Sequence, residues 1–134
     1  LPTLDAEGEP ALFYFTGQLS HAIRKGAQLI TPEGTRQTPA AADDITARRA
    51  SAAQQALAEK ILLATMRLRQ VEAPLPYARI DLLAGPDGQP CLLELELTEP
   101  SLFFDQAPGS AAHFAHILAE LMTRDTVRAR TGTV

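Results

Sequence analysis

Within "RIDLLAGPDGQPCLLELELTEP", residues 79–100, four side chains could do chemistry together: Arg79, Asp81, Glu94 and Glu96. Asp87-Gly88 between two β-type runs signals a two-residue hairpin turn, because a type I′ turn needs positive φ at both central positions. A turn centred there pairs Asp81 with Glu94 and Arg79 with Glu96. Alternation then sends Ile80, Leu82, Leu93, Leu95 and Leu97 to the other face. Three carboxylates share one face with a single guanidinium. Like charges directly opposite on a sheet repel by ~0.2–1 kcal/mol, and Arg79 offsets only one of the three. A divalent cation is the natural complement. Oxygen-only ligands without His or Cys suit Mg²⁺ or Mn²⁺, which commonly share their sites with phosphate oxygens. The competing reading is a solvated hairpin face whose acids keep it soluble. Register decides between them, since a one-residue slip would put Asp81 and Glu94 on opposite faces.

The rest of the chain has to supply the elements that position this hairpin. Its 134 residues, 46% apolar, suffice for one domain with a real core. A formal charge of −4 with scattered basic residues argues against nucleic acid or an anionic membrane as partner. The lone Cys91 and the lack of a span-length apolar run point to a cytoplasmic setting, with Cys91 expected as a buried, inert thiol. After an opening loop, "ALFYFTGQLSHAIRK" reads as two strands, 11–16 and 18–25, around a Thr16-Gly17 turn. "AQLIT", 27–31, could add a strand, and the Pro-containing stretch to residue 44 reads as irregular. Ala50, Ala53, Leu57, Ile61, Ala64 and Leu68 recur at helical spacing, which predicts a helix over 45–69 capped by Asp44 or Thr46. The hairpin follows, and then a helix over 110–124 with Phe114, Ile117, Leu118 and Leu121 inward. These elements make an α+β fold: an antiparallel β-sheet with helices packed on one face, leaving the acidic face uncovered. Residues 126–134 read as a polar, disordered tail.

"R-I-D" followed thirteen and fifteen positions after the Asp by the two acids of "E-L-E" resembles the C-terminal metal-binding hairpin of the ATP-grasp superfamily. "GQLSHAIRKGA", 17–27, and "LELELTEPSLFF", 93–104, are similar to a glutathione synthetase-like branch to which O-ureido-D-serine cyclo-ligase belongs. The resemblance implies a ligase that uses ATP and Mg²⁺ (or Mn²⁺) to join a small-molecule carboxylate and an amine through an acyl phosphate. It implies Asp81, Glu94 and Glu96 as metal ligands, with Glu96 standing where many members have Asn. It implies Arg79 and Lys25 as the catalytic cations, Lys25 and Glu9 as nucleotide contacts, and Ser20, His21, Arg24, Glu99 and Ser101 as substrate contacts. Pro10 stands after Glu9 where the branch usually has a basic residue. The resemblance covers residues 1–125, but only the later half of an ATP-grasp module. The expectation is therefore a C-terminal piece whose partner is a missing N-terminal part of the same chain, with surfaces that could otherwise pair two copies.

Other clusters compete less well. Ser20 and His21 are adjacent, and neighbours on a regular strand point to opposite faces, which argues against a Ser-His dyad. His113, His116 and Glu120 could contribute to a Zn site or form a solvated helix face. A second function class stays open: a non-catalytic, stand-alone α+β binding or regulatory domain.

Overall fold

The structure, a computed structural model, describes residues 8–26 and 45–131, with side chains as far as Arg124. Five strands form one antiparallel sheet: β1 (Glu9–Phe15), β2 (Gln18–Lys25), β3 (Ile45–Arg48), β4 (Tyr77–Ala84) and β5 (Pro90–Glu96), in the order β3-β2-β1-β4-β5. Helix α1 (Ala52–Arg69) lies between β3 and β4, and α2 (Ser110–Thr131) closes the chain after a 3₁₀ turn at Phe104–Gln106. The α+β class and the antiparallel sheet are as expected. The strand suggested over 27–31 lies outside the described residues.

Thr16 and Gly17 both take positive φ, 46° and 80°, so β1 and β2 meet in the tight I′-type turn that their sequence announces. The second hairpin is built differently from the expectation. Gly85 N–H donates to Gln89 O and Gly88 N–H to Gly85 O, which closes a three-residue loop of Pro86, Asp87 and Gly88, with Gly88 at φ 75°. Proline's fixed φ suits the first loop position, and only Gly88 has to enter the left-handed region. This loop moves the pairing next to the turn by one residue, so Leu82 faces Leu92 and Ala84 faces Pro90. A bulge at Leu93 then restores the expected register: Asp81 faces Glu94, Ile80 faces Leu95 and Arg79 faces Glu96. Leu95 and Leu97 pack on the core as anticipated, whereas Leu93 is 47% exposed.

The helix expected over 45–69 begins seven residues later. Ile45–Arg48 pairs with β2 instead, as its β-branched Ile45 and Thr46 favour. Ser51 caps α1: its Oγ accepts from Gln54 N–H, and the Gln54 side chain accepts from Ser51 N–H. The inward stripe is Ala58 and Leu62, flanked by Leu57 and Ile61, while Ala53, Ala64 and Leu68 stay exposed. Alanine is spread round the whole helix, so apolar spacing alone does not choose the buried side. Against this stripe pack Leu12, Tyr14, Ala22, Ala78, Ile80 and Leu82.

The opposite face is not left bare. Phe114 of α2 lies against Phe15 and Tyr77, with ring centroids 4.7 and 5.7 Å apart. Leu102 and Phe103 cover Ala11, Phe13 and Ile23, all three fully buried. The two helices thus sit on opposite faces, because Phe13 and Phe15 alternate with Leu12 and Tyr14 and both apolar sets need cover. Helix α2 also continues through Thr131, past the expected end at Arg124 and into the stretch read as a tail.

Candidate metal and phosphate site

Four neighbouring strands, β2, β1, β4 and β5, place six charged side chains on the face shared with Phe13 and Phe15. Glu9 faces Lys25 across β1 and β2, Ala11 faces Asp81, and Phe13 faces Arg79. Beyond them, β5 sets Glu94 and Glu96 opposite Asp81 and Arg79. Asp81 is the hub and is 1% exposed. Arg79 binds it side-on, with Nε donating to Oδ1 at 3.0 Å and Nη2 to Oδ2 at 2.8 Å. Lys25 Nζ donates to Oδ2 at 2.7 Å. Each cation also holds a second acid: Lys25 pairs with Glu9, and Arg79 Nη2 lies 2.5 Å from Glu96.

Burial alone would raise the Asp81 carboxyl, but the hydrogen bonds from Arg79 and Lys25 outweigh it and hold the group below the usual carboxylate range. Burial raises Glu9 against the pull of Lys25. Burial also raises Glu96, with Arg79 opposing and Glu94 reinforcing the shift. Arg79 would be lowered by burial, yet its bonds to Asp81 raise it further and it stays a cation. Four carboxylates against two cations leave about two negative charges on this patch.

Asp81, Glu94 and Glu96 each offer one oxygen, and these atoms all lie within 4.8 Å of one another. Such an oxygen-only set, carrying surplus negative charge, fits a hard divalent cation such as Mg²⁺. Among the described residues this is the one cluster of three such ligands. His113 instead stands edge-on to Phe15, with centroids 6.2 Å apart, and His116 pairs with Glu120 on an exposed surface, so among the described residues this helix assembles no three-ligand cluster.

The other residues named from sequence spread further. Arg24 faces Pro10, one step out of phase with Lys25, and so sits on the α1 side of the sheet. Glu99 and Ser101 lie exposed in the loop after β5, with Glu99 at φ 54°. Cys91 is exposed on the edge strand, its Sγ donating to Leu83 O at 3.6 Å, and is not the buried thiol expected. Ser20 and His21 do meet: the β1–β2 register shifts at Ser20, and Ser20 Oγ lies 2.9 Å from His21 Nδ1. Alternation fails locally because the bulge gives Ser20 no partner on β1. Sequence reasoning missed Phe103, whose ring lies 6.0 Å from the Arg79 guanidinium carbon. Its φ of 47° is rare for a bulky residue and costs about 1–3 kcal/mol, and nothing in the local sequence announces it.

The same architecture occurs in the ATP-grasp ligase PsnB, solved with its precursor peptide and AMPPNP. The TM-score is 0.50 at 18% identity, over 85% of this chain and 32% of that one, a likeness of fold. The chain thus has the fold of an ATP-grasp ligase. In sequence it is 42% identical over 118 residues to the cycloserine biosynthesis protein DcsG of Streptomyces lavendulae, covering 88% of this chain and 39% of that protein. The crystal structure of D-cycloserine synthetase DcsG matches with a TM-score of 0.81, over 90% of this chain and 40% of that one. This chain thus spans about two fifths of the length of these relatives. No protein-family model matches it.

Proposed function

We propose that the chain is the C-terminal portion, residues 1–125, of an ATP- and Mg²⁺-dependent carboxylate–amine ligase acting on an amino-acid or peptide-like substrate. The observation that carries this reading is the convergence of Asp81, Glu94 and Glu96 within 4.8 Å, with Lys25 and Arg79 both bonded to Asp81. The likeness to DcsG supports it and favours a small amino-acid substrate of the kind cycloserine synthesis requires.

Asp81, Glu94 and Glu96 would hold the metal, and Asp81 Oδ1, which accepts one bond from Arg79 Nε, keeps a lone pair for it. When bound, Mg²⁺ supplies neutralisation of phosphate oxygens and a template for in-line transfer. Lys25 is held by Glu9 and Asp81 with its ammonium on the same face, placed to contact the transferring phosphoryl group. In the first step a substrate carboxylate oxygen attacks the γ-phosphorus and ADP leaves, giving an acyl phosphate. In the second an amine attacks the acyl carbon and phosphate leaves. Arg79, fixed between Asp81 and Glu96, keeps its position while negative charge develops on the acyl oxygen, and so needs little reorganisation. Glu9 contributes by orienting Lys25.

One observation favours a second reading. Asp81 is already satisfied by two cations, as it would be in a non-catalytic domain that uses the network only for structure. Substrate-dependent ADP release by the full ligase separates the two. Asp81→Asn and Glu94→Gln should each lower turnover by about 10²-fold or more, and unchanged turnover in either variant rejects the ligase site.

A further inference from the structure

The chain leaves β5 at Glu96 on one edge of the site, and Leu102 lies at His21 on β2. Between them stand β4 and β1, so six residues cross three strand spacings, about 14 Å. Far from its start the crossing is fastened at one polar point: His21 Nε2 lies 2.9 Å from Leu102 O. A carbonyl can only accept, so Nε2 carries the proton, and in the neutral ring Nδ1 then accepts, which makes Ser20 Oγ the donor at 2.9 Å. The imidazole is further fixed by stacking on Phe13, with centroids 4.4 Å apart and planes 8° from parallel. The residue after the fastening point is Phe103, which keeps positive φ, covers Phe13 edge-on and places its ring over Arg79. Glu99 in the same crossing also has positive φ. A segment with two such residues persists only where its surroundings over-determine it.

We propose that His21 is a positioning residue: by donating Nε2–H to Leu102 O it pins residues 97–103 across the sheet and so holds Phe103 against Arg79. Ser20 selects the required tautomer. The fastening is a property of the fold, and its service to the Arg79 guanidinium rests on the ligase reading above.

The test uses the shapes of the two side-chain amides. Glutamine can place an N–H near the position of Nε2 but offers nothing to Ser20 there. Asparagine reaches only the Nδ1 position, and phenylalanine keeps the stack on Phe13 alone. Amide exchange at Gln106 and Ala107, whose N–H groups bond Phe103 O and Phe104 O, reports the crossing, and exchange of Arg79 Nε–H reports the guanidinium. His21→Phe and His21→Asn should speed exchange at all three by about five- to tenfold, the loss of one hydrogen bond, with His21→Gln within about twofold of the parent. Equal acceleration in all three variants, or none in His21→Phe, overturns the proposal. Turnover of the full ligase is read alongside. If exchange in His21→Phe is unchanged while turnover falls, the positioning role is wrong and the ligase reading stands. If exchange responds as expected and the parent shows no ATP turnover, the fastening stands and the ligase reading fails.

Discussion

Glu94→Gln and Asp81→Asn should affect stability and metal binding in different proportions, because the two acids differ in burial. Asp81 is 1% exposed and accepts charge-assisted bonds from Arg79 and Lys25, each worth about 1.5–3 kcal/mol. Replacing it removes the charge but not every contact: Lys25 keeps Glu9, Arg79 keeps Glu96, and the Asn oxygen still accepts one bond. A net loss of about 2–3 kcal/mol follows, or roughly 8–12 °C in Tm for a chain of this length. Glu94 is exposed and acts on Arg79 through space, so Glu94→Gln should stay within about 0.5 kcal/mol of the parent without metal. Mn²⁺ at about a hundred times its Kd should stabilise the parent by about 2.7 kcal/mol, near 10 °C, and neither variant. Thermal unfolding with and without Mn²⁺ measures all four quantities. A Glu94→Gln protein that gains as much from Mn²⁺ as the parent would refute convergence of the three acids on one ion. An Asp81→Asn protein as stable as the parent would refute the hub role of Asp81.

Arg79→Lys keeps the charge but cannot bind Asp81 side-on through two nitrogens, so ligase turnover should fall by about 10²-fold with the fold retained, as read by ADP release. Ser51→Ala removes the Oγ that accepts from Gln54 N–H and caps α1, while the backbone Ser51 N–H bond to the Gln54 side chain can persist; denaturant unfolding should show a loss of about 1 kcal/mol with Mn²⁺ binding unchanged. Burial lowers His21 below its ordinary 6.5, so the neutral ring favours the fold above that pH, and the contribution is lost as pH falls from there through the folded value. Unfolding followed across this window should have a positive slope with pH that His21→Gln flattens. Gly8→Ala should cost about 2 kcal/mol or more and loosen the Glu9–Lys25 pair, because Gly8 has φ 67° and an added Cβ would sit 2.5 Å from Lys25 O; denaturant unfolding reads the loss.

The parts of the fold legible in sequence were those set by strict alternation or by a turn with one solution. Ala11 to Phe15 and Gln18 to Lys25 flank Thr16-Gly17, which only a tight hairpin accommodates, and the structure places both strands within two residues of the expected bounds. Helix α1 was legible as a helix but not in phase or start, since Ala52, Ala53, Ala56, Ala58 and Ala64 make several stripes nearly equivalent and the Ser51–Gln54 cap lies inside the apolar run. The proximity of Asp81, Glu94 and Glu96 could be read from the hairpin. The partnership of Lys25 with Glu9 could not, because it depends on which strands become neighbours. The contacts of Leu102 and Phe103 were hidden for a stronger reason: they depend on a backbone carbonyl and a positive φ, and neither leaves a trace in residue type.

The acidic face was anticipated from a two-residue turn that the chain does not make, and the reason the pairing still holds lies in β5. A three-residue loop alone would have put Leu93, not Glu94, opposite Asp81 and turned the hairpin's acids away from Lys25. The extra residue at Leu93 cancels that shift within one step of the hub. The bulge exposes Leu93 on the edge strand, a loss of apolar burial that a straight ladder would avoid. The Ser20 bulge does the same kind of work on the other side of the site, bringing a hydroxyl to the imidazole beside it. Both irregularities sit where a side chain must be aimed and not where the sheet needs them to close. That placement supports the proposal that this face of the sheet binds a ligand and does not serve solubility alone.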